Sequence, residues 1–376
     1  MKRSIGLWVL VCGLWSGGCD DASSADGADG AVGDGDGTEA ELTWPGAEWE
    51  LAEPVDVGLD AEVLEGAREY AFDTGKETQG VVVVRHGRVA AEWYARGSDA
   101  DTLGTSWSAA KSFTSTLIGI ALDRGELPGL DAPMADYVTQ WQGSDREVIT
   151  IEHVLRMQSG LAWSEGMDNI ALQLSNDQET IAFDREVASP PMGGFNYSSA
   201  DTQTLGTVID SLGEGNAGAY ADEHLLGPIG MTAHWWQDTL GVTATYCCID
   251  ATAREMARFG LLFARGGNWD GTQVVSEEWV ERATAPADNN TGYGLQWWLG
   301  ESDNLPPHFM SRGKDSNLVY VVPELDLVVV RQSTYMNFNG EDYILDGSLH
   351  ILTNPSEGGW DDDAFLGPIV DAVIGD

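Results

Sequence analysis

A serine and a lysine three residues apart can do chemistry together only on a helix, where positions i and i+3 share a face and the amine reaches the hydroxyl. That spacing occurs twice, as Ser108-Ala109-Ala110-Lys111 and as Ser311-Arg312-Gly313-Lys314. Lysine is scarce, since of 19 basic residues only Lys2, Lys76, Lys111 and Lys314 are lysines. From Thr105 to Leu122 the chain carries no charge except Lys111, and Phe113, Leu117, Ile120 and Ala121 keep helical spacing until Gly125 supplies a stop. The second copy has a glycine inside it and ends a strand-like run, so its two side chains do not share a helical face. Only Ser108 and Lys111 form a candidate pair.

A serine hydroxyl is a weak nucleophile at neutral pH and needs a base beside it. An amine serves only when neutral, and burial in an apolar helix environment lowers a lysine pKa in that direction. The competing account makes Ser108 an N-cap and Lys111 a surface side chain with its head in water. Spacing and periodicity leave both open.

The elements around this pair follow from hydrophobic pattern. Val63, Leu64, Ala67, Tyr70 and Ala71 fall on one helical face, and Gly80 to Val84, a His86-Gly87 turn and Arg88 to Tyr94 read as a β-hairpin. Near the other end Tyr293 to Leu299, His308 to Arg312, Leu318 to Val322 and Leu327 to Arg331 are strand-like runs that extend the same antiparallel sheet. Between them helical periodicity dominates, as in Ala200 to Leu212, Ala217 to Leu226, Ala251 to Ala264 and Ser276 to Thr284. The expected fold is α/β, with an antiparallel sheet built from both termini, flanking helices, an inserted all-helical lobe and a site in the cleft between them.

Composition narrows the function. With 43% hydrophobic residues over 376, the chain can bury a large core. Its 61 acidic residues give a net charge of −42, which repels nucleic acid and sets that class of partner aside. Lys2 and Arg3 precede an apolar run, Ile5 to Trp15, and then Ser16-Gly17-Gly18-Cys19. Residues 1–18 therefore resemble a bacterial lipoprotein signal, with Cys19 as the lipid-bearing residue and membrane attachment through that lipid; Ser16 departs from the usual aliphatic position, and secretion after simple cleavage is the alternative. Either way the mature protein leaves the cytoplasm. Residues 19–43 read as a flexible acidic tether and 44–376 as one folded domain. Cys247 and Cys248 are expected to be two small buried thiols, because a bond between neighbours closes a strained ring. The six histidines lack ligand spacing, no metal site is expected, and the run Asp361 to Asp363 reads as solvated charge.

The segment Ser106-Trp107-Ser108-Ala109-Ala110-Lys111-Ser112-Phe113 resembles the nucleophile helix of the β-lactamase-related, penicillin-recognising serine hydrolases, in particular their 6-aminohexanoate-dimer hydrolase and esterase branch. Further landmarks follow in family order: Met157-Gln158-Ser159-Gly160-Leu161 with Trp163, Phe195-Asn196-Tyr197-Ser198-Ser199, Ala251-Thr252-Ala253-Arg254 with Arg258-Phe259-Gly260, and Val321-Val322-Pro323. The resemblance covers about residues 44 to 335.

It implies a β-lactamase-like fold and acyl transfer to water on Ser108, with Lys111 and Tyr197 moving the proton and the amides of Ser108 and Lys314 holding the oxyanion. Ser199 and the run Ser311-Arg312-Gly313 would contact a small ester or amide substrate. No cofactor is implied. Ser199 stands where β-lactamases carry asparagine, and Ser311-Arg312-Gly313 stands where they carry Lys-Thr-Gly. A β-lactam carboxylate thus loses a usual partner, although Arg312 can replace it if it faces the cleft; its other reading is a surface ion pair. The degenerate third motif also admits a catalytically silent, lipid-anchored scaffold of the same fold.

Overall fold

The computed structural model describes residues 42–374 apart from 214, 288, 339–342 and 357. The expected signal, the lipid-bearing Cys19 and nearly all of the tether lie outside these residues. Six strands form the main antiparallel sheet: β1 (Thr78–Arg85), β2 (Arg88–Tyr94), β3 (Trp298–Leu299), β4 (Phe309–Gly313), β5 (Asn317–Val322) and β6 (Leu327–Ser333), in the order β2-β1-β6-β5-β4-β3. The amino-terminal hairpin pairs directly with the last long strand, with Val82 opposite Val330.

Every residue of β1, β5 and β6 is buried, which is why these strands read as unbroken apolar runs. Successive side chains point to opposite faces. Val81, Val83, Tyr320 and Val329 join one core with helices α1 (Ala61–Ala71) and α5 (Asp362–Asp371), while Val82, Val84, Val319 and Val328 join a larger one with helices α2 (Ala110–Asp123) and α4 (Ala253–Ala264). Asp60, Thr252 and Asp361 cap α1, α4 and α5 by accepting backbone N–H groups through their side chains. Gly260 of α4 lies so close to the sheet that a Cβ there would fall 2.5 Å from Val328 and 2.8 Å from Val319.

Helix α2 runs between the sheet and the helical region and is buried on all sides, although much of it is Ser and Thr. Three of its hydroxyls are satisfied by neighbouring loops: Ser112 donates to the Gln296 carbonyl at 2.8 Å, Ser115 to that of Leu295 at 2.7 Å and Thr114 to that of Thr245 at 2.6 Å. The same loops are thereby fixed around the helix that carries Ser108 and Lys111.

Two details depart from the pattern-based expectation. The middle of the chain is not wholly helical, because Gly104–Thr105, Ile249–Ala251 and His234–Trp235 make a small antiparallel sheet, and α4 leaves the lobe to pack on the main sheet. In the run from Tyr293 to Leu299 only Trp298–Leu299 pairs as a strand. Gln296 breaks it with φ +65°, turning its amide inward to donate to the carbonyls of Val154 and Leu155.

Candidate active site

The chain enters α2 through a tight turn, Trp107–Ala109, in which Trp107 takes φ +47°. A non-glycine residue in that region marks local strain, and strain is commonly stored beside a reacting group. Its effect here is to leave Ser108 partly exposed while Ser106, Trp107, Ala109, Ala110 and Lys111 are buried. The Lys111 amine donates to Ser108 Oγ at 3.0 Å, to the Tyr246 carbonyl at 2.9 Å and to Ser199 Oγ at 3.2 Å. Three acceptors match the three N–H bonds of an ammonium. Burial nevertheless pulls its pKa from 10.5 down to about 7, with the negative charge of Asp168 opposing that fall. Lys111 is thus no surface side chain, and Ser108 is no side-chain cap.

Tyr197 faces the same amine, with Lys111 Nζ 5.0 Å from its ring centroid. Burial raises the phenol pKa, and the neighbouring Ser108 hydroxyl works in the opposite direction. The turn that presents Tyr197 is held from several sides. Asp168, 2% exposed, accepts from Ser198 Oγ at 3.0 Å and from the amides of Ser199 and Ala200 at 2.7 and 2.8 Å, at the start of helix α3 (Ser199–Asp210). Asn196 donates its amide to the Met157 carbonyl at 2.8 Å, and Arg185 pairs with Asp201 at 2.6 Å in the interior. The landmark at Met157 therefore acts by clamping the strand of chain before Tyr197.

These groups open onto a cavity of about 450 Å³ walled by Trp107, Ser108, Tyr197, Trp298, Gly313 and Lys314. Ser199, Arg312, Asp168 and Cys247 also reach it. Beyond Trp298 and Arg312 a larger groove of about 1010 Å³ continues along Glu301, Trp360 and Asp361 to Asp363. The third-motif residues divide. Gly313 lies against the turn that presents Ser108. Ser311 is fully buried, does not line the cavity, and its Oγ has no hydrogen-bond partner among the described residues. Arg312 points to the opposite face of β4, where it pairs with Asp362 and sits 3.3 Å from Met310 Sδ, with 28% of its side chain exposed. Both readings of Arg312 thus meet in one side chain: it is ion-paired, and it forms the rim between cavity and groove. The Asp361 to Asp363 run is bound into the fold through the α5 cap, this pair, and a contact from Ser302 to Asp363 at 2.7 Å. Lys314 pairs with Asp315 at 2.7 Å and stands over the Trp107 ring.

Gly313 offers a steric test of the site. A Cβ there would lie 2.1 Å from the Ser106 carbonyl oxygen and 3.1 Å from Trp107 Cβ. Gly313→Ala must push β4 off the turn of Ser108, at a cost of about 1–3 kcal/mol for overpacking. A displacement near 1 Å at a reacting centre costs roughly 10²-fold in rate. Denaturant midpoints and kcat/KM on one ester, measured side by side, check both effects.

The neighbouring cysteines depart from expectation. Cys247 and Cys248 are joined as a disulfide rather than held as two thiols, and both are 1% exposed. In an extended strand adjacent side chains diverge. Here the backbone reverses at the pair, Cys248 taking φ +74°, and the two sulfurs meet. Sequence reasoning also missed Asp168, Trp298 and the Tyr246 carbonyl. Neither Asp168 nor Trp298 sits in a spacing motif, and a backbone carbonyl leaves no signature in side-chain identity.

The Beta-lactamase family model matches residues 68–350. The 6-aminohexanoate-dimer hydrolase of Paenarthrobacter ureafaciens is 23% identical over 288 residues, covering 69% of this chain and 73% of that one. Among solved structures, a Bacillus anthracis protein assigned as a 6-aminohexanoate-dimer hydrolase superposes with a TM-score of 0.64 at 20% identity, over 77% of this chain and 81% of its own. A D-stereospecific amidohydrolase from Streptomyces sp. superposes at 0.59 and 15% identity, over 73% and 94%. These superpositions share the sheet flanked by helices, and the family match spans well over half of the sequence, including the helix of Ser108 and Lys111, the turn of Tyr197 and strands β1 to β6. The chain belongs to the beta-lactamase-related serine hydrolase family.

Proposed function

We propose that this hydrolase cleaves an ester or linear amide through an acyl-enzyme on Ser108. The observation that carries the reading is the buried Lys111 amine, 3.0 Å from Ser108 Oγ and shifted to a pKa of about 7. Ser108 Oγ attacks the carbonyl carbon as its proton passes to neutral Lys111. The amides of Ser108 and Lys314, two residues of the cavity wall, receive the oxyanion. Collapse of the tetrahedral species breaks the bond to the alcohol or amine. Tyr197, whose raised pKa keeps it protonated, donates to that leaving group, and the pair divides into base and acid. The Lys111 ammonium passes its proton to the Tyr197 phenolate and is neutral again. Water, deprotonated by that amine, then attacks the acyl carbon, and the ammonium returns the proton to Ser108 Oγ as the acid leaves.

The relatives named above are described as 6-aminohexanoate-dimer hydrolases and an amidohydrolase, and the aromatic cavity wall suits an apolar acyl chain. The loss of lysine from the third motif, with Arg312 already held by Asp362, argues against β-lactams as the main substrate. The leader and Cys19 support an exported, lipid-anchored enzyme, and a disulfide is in keeping with an oxidising compartment.

Labelling with a serine-directed fluorophosphonate, followed by peptide mapping, tests the nucleophile: the adduct is expected on Ser108. An unlabelled, folded protein would instead favour the silent scaffold. A panel of short esters, aminohexanoate oligomers, D-peptides and a chromogenic cephalosporin then ranks substrates.

The pH profile is a separate expectation. Lys111 is the base only when neutral, so kcat/KM rises with pH through about 7 and then levels. Below the limb it falls about tenfold per pH unit. A profile flat between about pH 5 and pH 9 would remove Lys111 from the base role.

A further inference from the structure

The disulfide lies on a segment that touches the catalytic pair directly. From Thr245 to Ile249 the chain contacts the nucleophile turn and α2 at successive points. Thr114 donates to the Thr245 carbonyl at 2.6 Å and Lys111 Nζ to the Tyr246 carbonyl at 2.9 Å. The Cys248 amide faces the Trp107 carbonyl at 3.4 Å, and Ser106 exchanges two hydrogen bonds with Ile249, at 2.8 and 2.9 Å. Behind the turn, Trp235 Nε1 donates to the Cys247 carbonyl and the Trp236 amide to that of Cys248, each at 3.0 Å. Cys247 itself forms part of the cavity wall.

A bond between adjacent cysteines closes a ring over their shared peptide and removes torsional freedom from the two residues that follow Tyr246. The Tyr246 carbonyl is one of three acceptors of the amine, and it belongs to the peptide bond that enters Cys247. We propose that the Cys247–Cys248 disulfide is a positioning element for Lys111, locking the Tyr246 carbonyl against the amine and sealing that side of the amine from water. This inference rests on the reading of Ser108 and Lys111 given above. The groups facing the amine are Ser108 on its own helix, Asp168, Tyr197 and Ser199 from the lobe, and Tyr246 from the disulfide turn.

Opening the ring lets the turn relax and admits water to the amine. Loss of the carbonyl acceptor alone would favour the neutral amine, whereas hydration favours the ammonium. Burial is the main cause of the present shift, so hydration dominates and the acid limb moves to higher pH. Each pH unit of movement lowers kcat/KM below the limb about tenfold.

The test compares wild type with the Cys247→Ser/Cys248→Ser variant in the full chain, by thermal melting, fluorophosphonate labelling and the pH profile of kcat/KM. A folded variant, still labelled on Ser108, with its acid limb moved upward and its neutral-pH rate lowered about tenfold or more, supports the proposal. A folded variant with an unchanged limb overturns it, even if its melting temperature has fallen. If that variant does not fold, Cys247→Ala/Cys248→Gly, with glycine at the positive φ, gives the same comparison. Peptide mapping of active wild-type enzyme decides independently, because two free thiols at this pair overturn the proposal outright. Absence of fluorophosphonate labelling in the wild type would instead sink the Ser108 reading, so the two failures are told apart.

Discussion

Ser108→Ala is expected to lower kcat/KM by roughly 10⁴ to 10⁶-fold while leaving the fold in place, the range seen when a serine nucleophile is removed. The structure explains why the two effects separate. Ser108 makes no cap and packs into no core; its side chain opens onto the cavity and meets Lys111 Nζ at 3.0 Å. Removing the hydroxyl costs one hydrogen bond, about 1 kcal/mol, and Lys111 keeps Tyr246 and Ser199 as acceptors. Alanine is also the best helix former at the head of α2. Steady-state kinetics on an ester, together with denaturant unfolding, make the comparison. A variant that keeps more than about a tenth of the wild-type rate would show that Ser108 is not the nucleophile, whatever its distance from the lysine.

How far the sequence foretold this site depends on whether a feature is written in side-chain period or in long-range backbone contact. The valine runs at Val81 to Val84 and Leu327 to Val330 signalled strands, and burial on both faces explains why they do not alternate with polar residues. Ser108 and Lys111 were legible because one helical turn brings them together. Ser311, at the third motif, was legible as a departure, but its burial behind Gly313 was not, since strand parity against α2 depends on pairing with β5. Arg312 was readable only as a charge; its partner Asp362 comes from fifty residues away, on a helix whose docking no local pattern dictates. Asp168 looked like one more acidic residue in an acidic chain. Its role in gathering three donors at the Tyr197 turn follows from the lobe closing over α3. The disulfide is not legible in the sequence because pairing of neighbours depends on a reversed backbone, which no side-chain pattern announces.

Lys111→Met should lower kcat/KM by about 10² to 10⁴-fold, the usual contribution of a positioned base, and should erase the acid limb near pH 7. Methionine nearly matches the lysine stem in length, so the cavity keeps its shape while the proton acceptor is lost. Stability gives a second reading with a definite sign. The folded-state pKa of Lys111, about 7, lies below its ordinary 10.5, so the unfolded chain binds the extra proton more tightly than the folded one. The penalty for burying the ammonium is therefore fully present below about pH 7 and fades as pH rises toward 10.5. Its size is on the order of a few kcal/mol. The variant escapes that penalty but leaves the Tyr246 carbonyl and Ser199 Oγ without their donor, a cost of about 1–3 kcal/mol that does not vary with pH. The variant's stability relative to wild type should thus be greatest at acidic pH and decline between about pH 7 and pH 10. Denaturant unfolding of both proteins across that window reads the slope. A difference that stays constant with pH would mean that the amine titrates in the folded enzyme as it does in water, and would remove the buried neutral base from the mechanism.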